Sequence, residues 1–164
     1  MRGERPSAEG GAFSHTFVSL YRGIHEQLQE EVSDLGGTAL TWIPGPDTNS
    51  ISTLVVHLLG SEAGVLRVVR GLPSDRDRAA EFIPNETDAE ELMRQIEATD
   101  RLLKELGPQI SEDDLAMSRV RPSALSDEPR TGLYWLLNSY GHAREHLAQL
   151  QLTKQLFRMR GSAG

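Results

Sequence analysis

The sequence contains no cysteine among its 164 residues. Disulfide-stabilised folds, cysteine nucleophiles and cysteine-ligated zinc sites are therefore excluded. Long apolar runs are lacking too: the longest candidate, residues 51–69, is interrupted by His57, Glu62 and Arg67. Residues 1–11 have no apolar stretch of the kind found in secretion signals. We therefore expect neither a membrane span nor export, and we predict a cytoplasmic protein.

Basic residues are also in the minority. The formal net charge is −7, whereas nucleic-acid-binding proteins carry a clustered basic surface, so no nucleic-acid partner is expected. One local group of arginines is interrupted by acidic residues, and we interpret it as a solvated helix end. The alternative is a binding site for phosphate or another acidic ligand. The group consists of Arg67, Arg70, Arg76 and Arg78, with Asp75, Asp77 and Glu81 among them.

Four long segments have apolar residues at three- and four-residue steps, as amphipathic helices do, and no stretch alternates like a strand. The second segment can be capped by Asn49 or Ser50. The third can begin at Thr87 in a capping box with Glu90. The predicted helices cover residues 13–35, 49–70, 87–106 and 131–158.

These long helices predict an all-α fold. We expect one antiparallel up-and-down four-helix bundle over residues 12–160, preceded by a flexible segment at residues 1–11. Residues 38–48 are rich in Pro and Gly but contain Trp42, which favours an ordered loop. Residues 110–130 form the longest connection, and we expect it to cover one end of the bundle.

Two histidines on the last predicted helix are placed to share one ligand. His142 and His146 are one turn apart, about 6 Å along the axis and about 40° around it, so both imidazoles can reach the same ion. They lie on or beside an arc that includes Trp135 and Leu150, whereas Arg144 points the other way. The pair should therefore face the interior or the mouth of a cleft.

A third histidine, His57, lies in the most apolar segment. Gly60, Ser61 and Gly64 follow it and leave space near its ring. A buried imidazole without a partner is costly, and neighbouring bundle helices can bring His57 to the His142–His146 pair. Three neutral imidazoles with open positions form a metal site that can activate a ligand. From the residues alone, ordinary hydrogen-bonded core histidines are the alternative.

Two stretches of the chain resemble the DinB/YfiT-like superfamily. Asn-Ser-Ile at 49–51, Val-His-Leu-Leu at 56–59 and Glu62 are similar to the second helix of that group, which carries an N-S-I-x-x-L-x-x-H-L pattern. Gly-His-Ala-Arg-Glu-His-Leu-Ala-Gln-Leu at 141–150 is similar to its last helix, in which H-x-x-x-H is followed by a glutamine. The whole chain is similar to the group in length and helix order.

The resemblance implies a four-helix bundle that holds a divalent metal, zinc or nickel, through the residues that match His57, His142 and His146. It also implies a homodimer. Some members use a low-molecular-weight thiol such as mycothiol or bacillithiol, so the expected activity is that of a metal-dependent thiol S-transferase or isomerase acting on an electrophilic substrate. A metal-dependent hydrolase and a non-catalytic metal-binding stress or interaction protein are the alternatives. No catalytic residue is assigned, because the sequence places no carboxylate clearly beside the histidines.

The remaining titratable residues near these segments receive structural interpretations. His15 and His25 match no ligand position of the resemblance and are expected at the surface or the edge of the core. Glu62 lies five residues after His57 and does not share its direction. We expect Glu62 to be a helix charge beside Arg67, with a supporting role at the metal site as the weaker alternative.

Aromatic and apolar residues at the start of the last helix have two interpretations. Trp135 and Tyr140 are expected in the core, the alternative being the lining of a pocket. Leu133, Leu137 and Tyr140 lie on the side opposite the histidines and form an apolar patch. This patch predicts a homodimer interface, unless residues 110–130 cover it.

Overall fold

The structure, a computed structural model, describes residues 11–83, 87–122 and 127–160. The four predicted long helices are confirmed, and the largest difference is at the end of the first, which stops at residue 32 instead of 35. The predicted flexible segment at 1–11 lies, apart from Gly11, outside the described residues. The helices are α1 (Ala12–Val32), α2 (Gly37–Thr41), α3 (Ile51–Val69), α4 (Ala89–Leu106), α5 (Glu112–Ala116) and α6 (Gly132–Arg160).

Side-chain caps fix the starts of α3 and α4. The Ser50 hydroxyl accepts a hydrogen bond from the Thr53 amide at 3.2 Å, as predicted. At α4 the predicted cap, Thr87, is wrong by one residue, since Asp88 accepts from the Glu91 amide at 2.8 Å. A carboxylate at this position also interacts favourably with the helix dipole, which explains why Asp88 is the cap.

The four long helices form a closed ring of contacts. α1 packs against α4 and α6, and α3 packs against the same two helices, so α1 and α3 are diagonal to each other. The core between them is made mainly of aliphatic side chains, and its buried aromatic members are Phe17, Tyr21 and Trp135. Its fully buried members include Tyr21, Ile24, Leu28, Leu58, Leu66, Leu92, Ile96, Leu103 and Leu136. The all-α bundle predicted from the sequence is confirmed.

Contacts along the helices give their directions. α1 and α6 are parallel, because Tyr21 bonds Ser139 and, further along both helices, Glu31 pairs with Lys154. α3 and α6 are antiparallel, because the end of α3 lies against Gly132 whereas His57 lies beside His142. A groove lined by residues from the first turns of α3 and α4 shows that these two helices start at the same end. The directions are thus up, down, down, up, with a parallel middle pair where strict alternation was expected.

The parallel pair explains the long segment between α3 and α4. A 19-residue helix is about 28 Å long at about 1.5 Å per residue, and the chain must return over this distance before α4 begins. The returning segment includes a 3-10 turn at Ala80–Phe82, which packs against α3. It thereby brings polar side chains from the loop to the middle of α3.

The connection between α4 and α6 contains a 3-10 turn (Gly107–Gln109), α5 and a two-stranded antiparallel ladder of β1 (Ser118–Arg119) and β2 (Arg130–Thr131). The 3-10 turn packs on α1, and α5 packs on α6, so this connection covers one end of the bundle.

A Cβ atom at Gly132 would lie 2.1 Å from the Asp114 carbonyl oxygen. This close approach requires glycine at the start of α6.

α3 is the most apolar helix. By length and composition it could cross a membrane, but 72% of its apolar window is buried inside the bundle. Its apolar character is accounted for by contacts with the other helices, as in the core helix of a soluble protein.

Candidate metal centre

The structure brings the three predicted histidines together on the facing sides of α3 and α6. The Nε2 atom of His142 lies 3.0 Å from Nε2 of His57 and 3.1 Å from Nε2 of His146. The three ligand atoms are within 4.8 Å of one another, as one metal ion requires. His57 is buried, whereas the other two rings are partly accessible, so the site is reached from the α6 side.

Hydrogen bonds on the far side of two rings determine which nitrogen can bind a metal. His57 Nδ1 lies 2.7 Å from a carboxylate oxygen of Glu81, and His146 Nδ1 lies 2.8 Å from the side-chain oxygen of Gln149. These acceptors require a proton on each Nδ1, which leaves an Nε2 lone pair on both rings.

This arrangement fits a cation better than it fits hydrogen bonds among the rings. His142 Nε2 can donate one proton, so it can satisfy only one of the two lone pairs that face it. The other contact would place two lone pairs about 3 Å apart. A divalent ion that accepts electron density from all three nitrogens removes this conflict, and a histidine with an acceptor on its other nitrogen is the usual form of a metal ligand.

Glu81 is the functional residue that the sequence interpretation missed. Its carboxylate belongs to the returning segment between α3 and α4 and is buried against α3. The expectation that no carboxylate stands beside the histidines is therefore wrong. The space next to Gly60 was noticed in the sequence, and Glu81 fills it: a Cβ atom at Gly60 would lie 2.2 Å from Glu81 Oε1.

Arg76 holds Glu81 in place. Its Nε donates to Oε1 at 2.6 Å and its Nη2 donates to Oε2 at 2.7 Å, a bidentate pair in which both side chains are largely buried. The interpretation of this arginine as part of a solvated helix end is wrong. Although burial alone would raise it, the pKa of Glu81 is lowered by its bonds to His57 and Arg76, so the carboxylate is ionised at neutral pH.

Burial and mutual repulsion keep the α6 histidines neutral. Burial is the largest cause that lowers the pKa of His142 to about 4, followed by the charges of His146 and His57 and then of Arg121. Burial likewise lowers the pKa of His146, partly opposed by its bond to Gln149. Neutral imidazoles are the form that binds metals.

Glu62 and His25 form a separate buried pair. Glu62 Oε2 lies 2.8 Å from His25 Nε2, and the other ring nitrogen lies 3.2 Å from Asp100 on α4. Glu62 is therefore neither an exposed charge beside Arg67 nor a group bound to the predicted ligands. His25 is buried and not at the surface or core edge, whereas His15 is exposed, as expected.

Phe82 contacts the histidine cluster, whereas Trp135 and Tyr140 pack in or beside the bundle core. The Phe82 ring packs on His57, with centroids 4.6 Å apart. Trp135 is buried in the core, as expected, and its indole N–H donates to the Arg119 carbonyl at 2.8 Å. Tyr140 is partly buried and packs edge-on against Tyr21. The prediction that Tyr140 joins Leu133 and Leu137 in an outward-facing apolar patch is therefore wrong.

Comparison with known proteins agrees with the geometry. No curated protein matches the chain. The sequence profile described as the DinB superfamily matches residues 20–150, which is more than half of the chain and includes all three histidines, Glu81 and Arg76. The chain therefore belongs to the DinB superfamily.

Proposed function

We propose that the protein is a metal-dependent transferase that joins a low-molecular-weight thiol to an electrophilic substrate. The observation that carries the proposal is the convergence of three Nε2 atoms, with two of the rings oriented by Glu81 and Gln149. We assign His57, His142 and His146 as ligands of a divalent ion, zinc or nickel. A bound ion of this kind lowers the pKa of a thiol that coordinates it.

The residues of the chain have distinct roles in this reaction. Glu81 and Gln149 keep protons on the Nδ1 atoms, so that Nε2 stays available on each ring. Phe82 packs on His57 and excludes water from its buried face. During transfer the sulfur forms a bond to the electrophilic carbon, the thiol proton passes to solvent, and the leaving group departs with its electron pair.

A water-activating hydrolase is less well supported, because such an enzyme needs a free general base near the metal. Among the described residues, Glu81 is the carboxylate that contacts these imidazoles, and both of its oxygens already accept hydrogen bonds from Arg76 and His57. The same observation favours a second candidate, a metal-binding protein without turnover. Thiol transfer to an activated electrophile does not require a free base, since the thiol proton can go to solvent.

The test combines metal content with turnover. The protein is purified with zinc or nickel, its metal stoichiometry is measured, and conjugation of small thiols to an aryl chloride is followed. The His146→Ala variant is expected to lose metal and turnover together, whereas His15→Ala, which changes an exposed histidine, should keep both. Metal loss with unchanged turnover would refute the catalytic role, and full metal content without turnover would support the second candidate.

We also propose that the protein acts in the cytoplasm as a homodimer. Apolar side chains on the first turns of α6 support this assembly: Leu133 and Tyr134 are exposed, and Leu137 is 56% exposed. Clustered exposure of this kind is typical of an interface. Sedimentation at micromolar concentration should give a dimer that Leu137→Lys converts to a monomer, and a monomeric wild-type protein would contradict the proposal.

A further inference from the structure

Arg121 is a buried cation that has no acidic partner among the described residues. It follows β1 in the connection between α4 and α6, and its side chain reaches α3, where Nη2 donates to the Ser61 hydroxyl at 2.8 Å and to the Ser61 carbonyl at 3.3 Å. Only 8% of the residue is exposed. Its Nε has no hydrogen-bond partner, and no carboxylate within the described residues is at ion-pair distance.

An unpaired buried charge is unusual, because desolvation of a guanidinium costs several kcal/mol unless an anion compensates it. The two neighbouring carboxylates are already used. Glu81 is held by Arg76 and His57, and Glu62, the residue after Ser61, is bound by His25. Burial, followed by the charge of Arg76, lowers the pKa of Arg121 to about 10, and the more distant charge of Glu81 offsets this only in part.

Arg121 contacts both of the helices that carry the three histidines. Ser61, which it contacts, is one helical turn after His57 on α3. Its guanidinium carbon lies 6.0 Å from the centre of the Trp135 ring, and Trp135 precedes His142 by two turns on α6. The positive charge also contributes to the lowered pKa of His142, so the guanidinium and the ring are electrostatically coupled.

The contrast with Arg76 shows what is missing at Arg121. Both arginines are largely buried near the same histidines, and Arg76 has both sides of its guanidinium fork on one carboxylate. Arg121 makes only single bonds to neutral oxygens of Ser61 and has an unused N–H on Nε. A planar guanidinium with free donors matches the two oxygens of a carboxylate or phosphate.

We propose that Arg121 binds an oxyanion, a carboxylate or a phosphate group, of the molecule whose reacting atom lies at the three histidines. This inference rests on the proposed function for the identity of the reacting atom, but the oxyanion site itself does not. One of the two substrates, the thiol or the electrophile, is accordingly an anion, and Arg121 selects it over neutral analogues.

The test uses two thiols of equal chain length, 3-mercaptopropionate and 3-mercapto-1-propanol, which differ in the anionic group. Binding to the zinc-loaded protein is followed by the NMR signal of the Trp135 indole N–H, which is held by the Arg119 carbonyl and lies beside Arg121. We expect the carboxylate to bind about tenfold or more tightly, as a charge-assisted hydrogen bond provides.

Two variants assign this preference to one side chain. In Arg121→Met, the ratio of the dissociation constants of the two thiols should fall to about one. The melting temperature should not fall, because an unpaired buried charge does not stabilise the fold. Arg101→Met, which removes an exposed arginine on α4, should keep the preference. A wild-type protein without preference would overturn the proposal, and so would a preference that Arg121→Met leaves intact.

Repeating the titrations on protein treated with a chelator separates this inference from the proposed function. If the carboxylate preference is the same with and without zinc, and zinc strengthens the binding of neither thiol, the oxyanion site stands and the transferase proposal fails. If zinc strengthens the binding of both thiols equally and neither protein prefers the carboxylate, the oxyanion site fails and the metal proposal stands. Competition by inorganic phosphate, lost in Arg121→Met, would assign the site to a phosphate group.

Discussion

Removal of the Glu81 carboxylate tests how the metal site is built. Glu81 accepts a hydrogen bond of 2.7 Å from His57 Nδ1 in a buried setting, and a charge-assisted bond of this kind contributes about 1.5–3 kcal/mol. Loss of the hydrogen-bond acceptor that orients a metal-binding histidine usually lowers the affinity for the metal about 10- to 100-fold, which is about 1.4–2.7 kcal/mol. The two estimates agree. We expect Glu81→Ala to lower zinc affinity about 100-fold and Glu81→Gln, which keeps an acceptor oxygen, about tenfold.

A second variant reaches Glu81 without changing it. An alanine Cβ at Gly60 would lie 2.2 Å from Glu81 Oε1, so Gly60→Ala must displace the carboxylate and should lower zinc affinity in the same direction. Glu97→Gln removes an exposed carboxylate from α4 and serves as the control. Zinc affinity is measured by competition with a chelator, and circular dichroism checks the fold. Unchanged affinity in folded Glu81→Ala would refute the orienting role.

Three further predictions concern other contacts. Gln149→Ala should lower zinc affinity only about threefold, because the hydrogen bond between Gln149 and His146 is solvent-exposed. This is less than the loss usually seen when a metal-binding histidine loses its hydrogen-bond partner. A 100-fold loss in the same chelator competition would contradict the prediction. Glu62→Ala should reduce the free energy of unfolding in urea by about 3 kcal/mol, because it breaks a buried pair with His25, and a loss below about 1 kcal/mol would contradict the pair's importance. Burial alone would raise the pKa of Asp114, but hydrogen bonds from Ser111 and Arg70 lower it below the ordinary value of 3.8. The stability that the Asp114 carboxylate contributes is therefore fully present above pH 3.8. It is lost as the pH falls through the lowered pKa. Urea unfolding should show a smaller acid loss in Asp114→Asn, and equal losses would count against it.

The sequence predicted the long helices because apolar spacing repeats within each segment and needs no knowledge of the neighbours. It also selected His57, His142 and His146, two of them by a one-turn spacing on α6. The direction of α4 could not be predicted in this way, because helix periodicity is the same in both directions. Only the length of the segment between α3 and α4, which suffices for a return along the bundle, carried that information.

Glu81 was missed because its role depends on that return. It is 24 residues from His57 in the chain and lies in a stretch of mixed charges without helical periodicity, which predicts a solvated loop. The available signal was in α3: the small residues Gly60 and Gly64 leave a gap that a buried element must fill. The Glu81 carboxylate and the Arg76 side chain fill it. His25 and Glu62 were misjudged for a similar reason, since their pairing joins α1 to α3 and neither local spacing reveals it.

The charges around the three imidazoles lead to a prediction about metal binding in the absence of substrate. Glu81 is neutralised by Arg76, and the lowered pKa of His142 and His146 keeps these rings neutral. Among the described residues, Arg121 then leaves one positive charge without an ion-pair partner. This charge repels a second cation, as it disfavours protonation of His142. Arg121→Met should therefore raise zinc affinity in the ligand-free protein, whereas Arg101→Met should not. With 3-mercaptopropionate added, the wild-type protein should bind zinc more tightly than Arg121→Met does. The reason is that a carboxylate bound to Arg121 compensates its charge and brings the thiol to the metal. Lower zinc affinity of ligand-free Arg121→Met, with the fold intact, would show that Arg121 supports the histidines and does not oppose the ion.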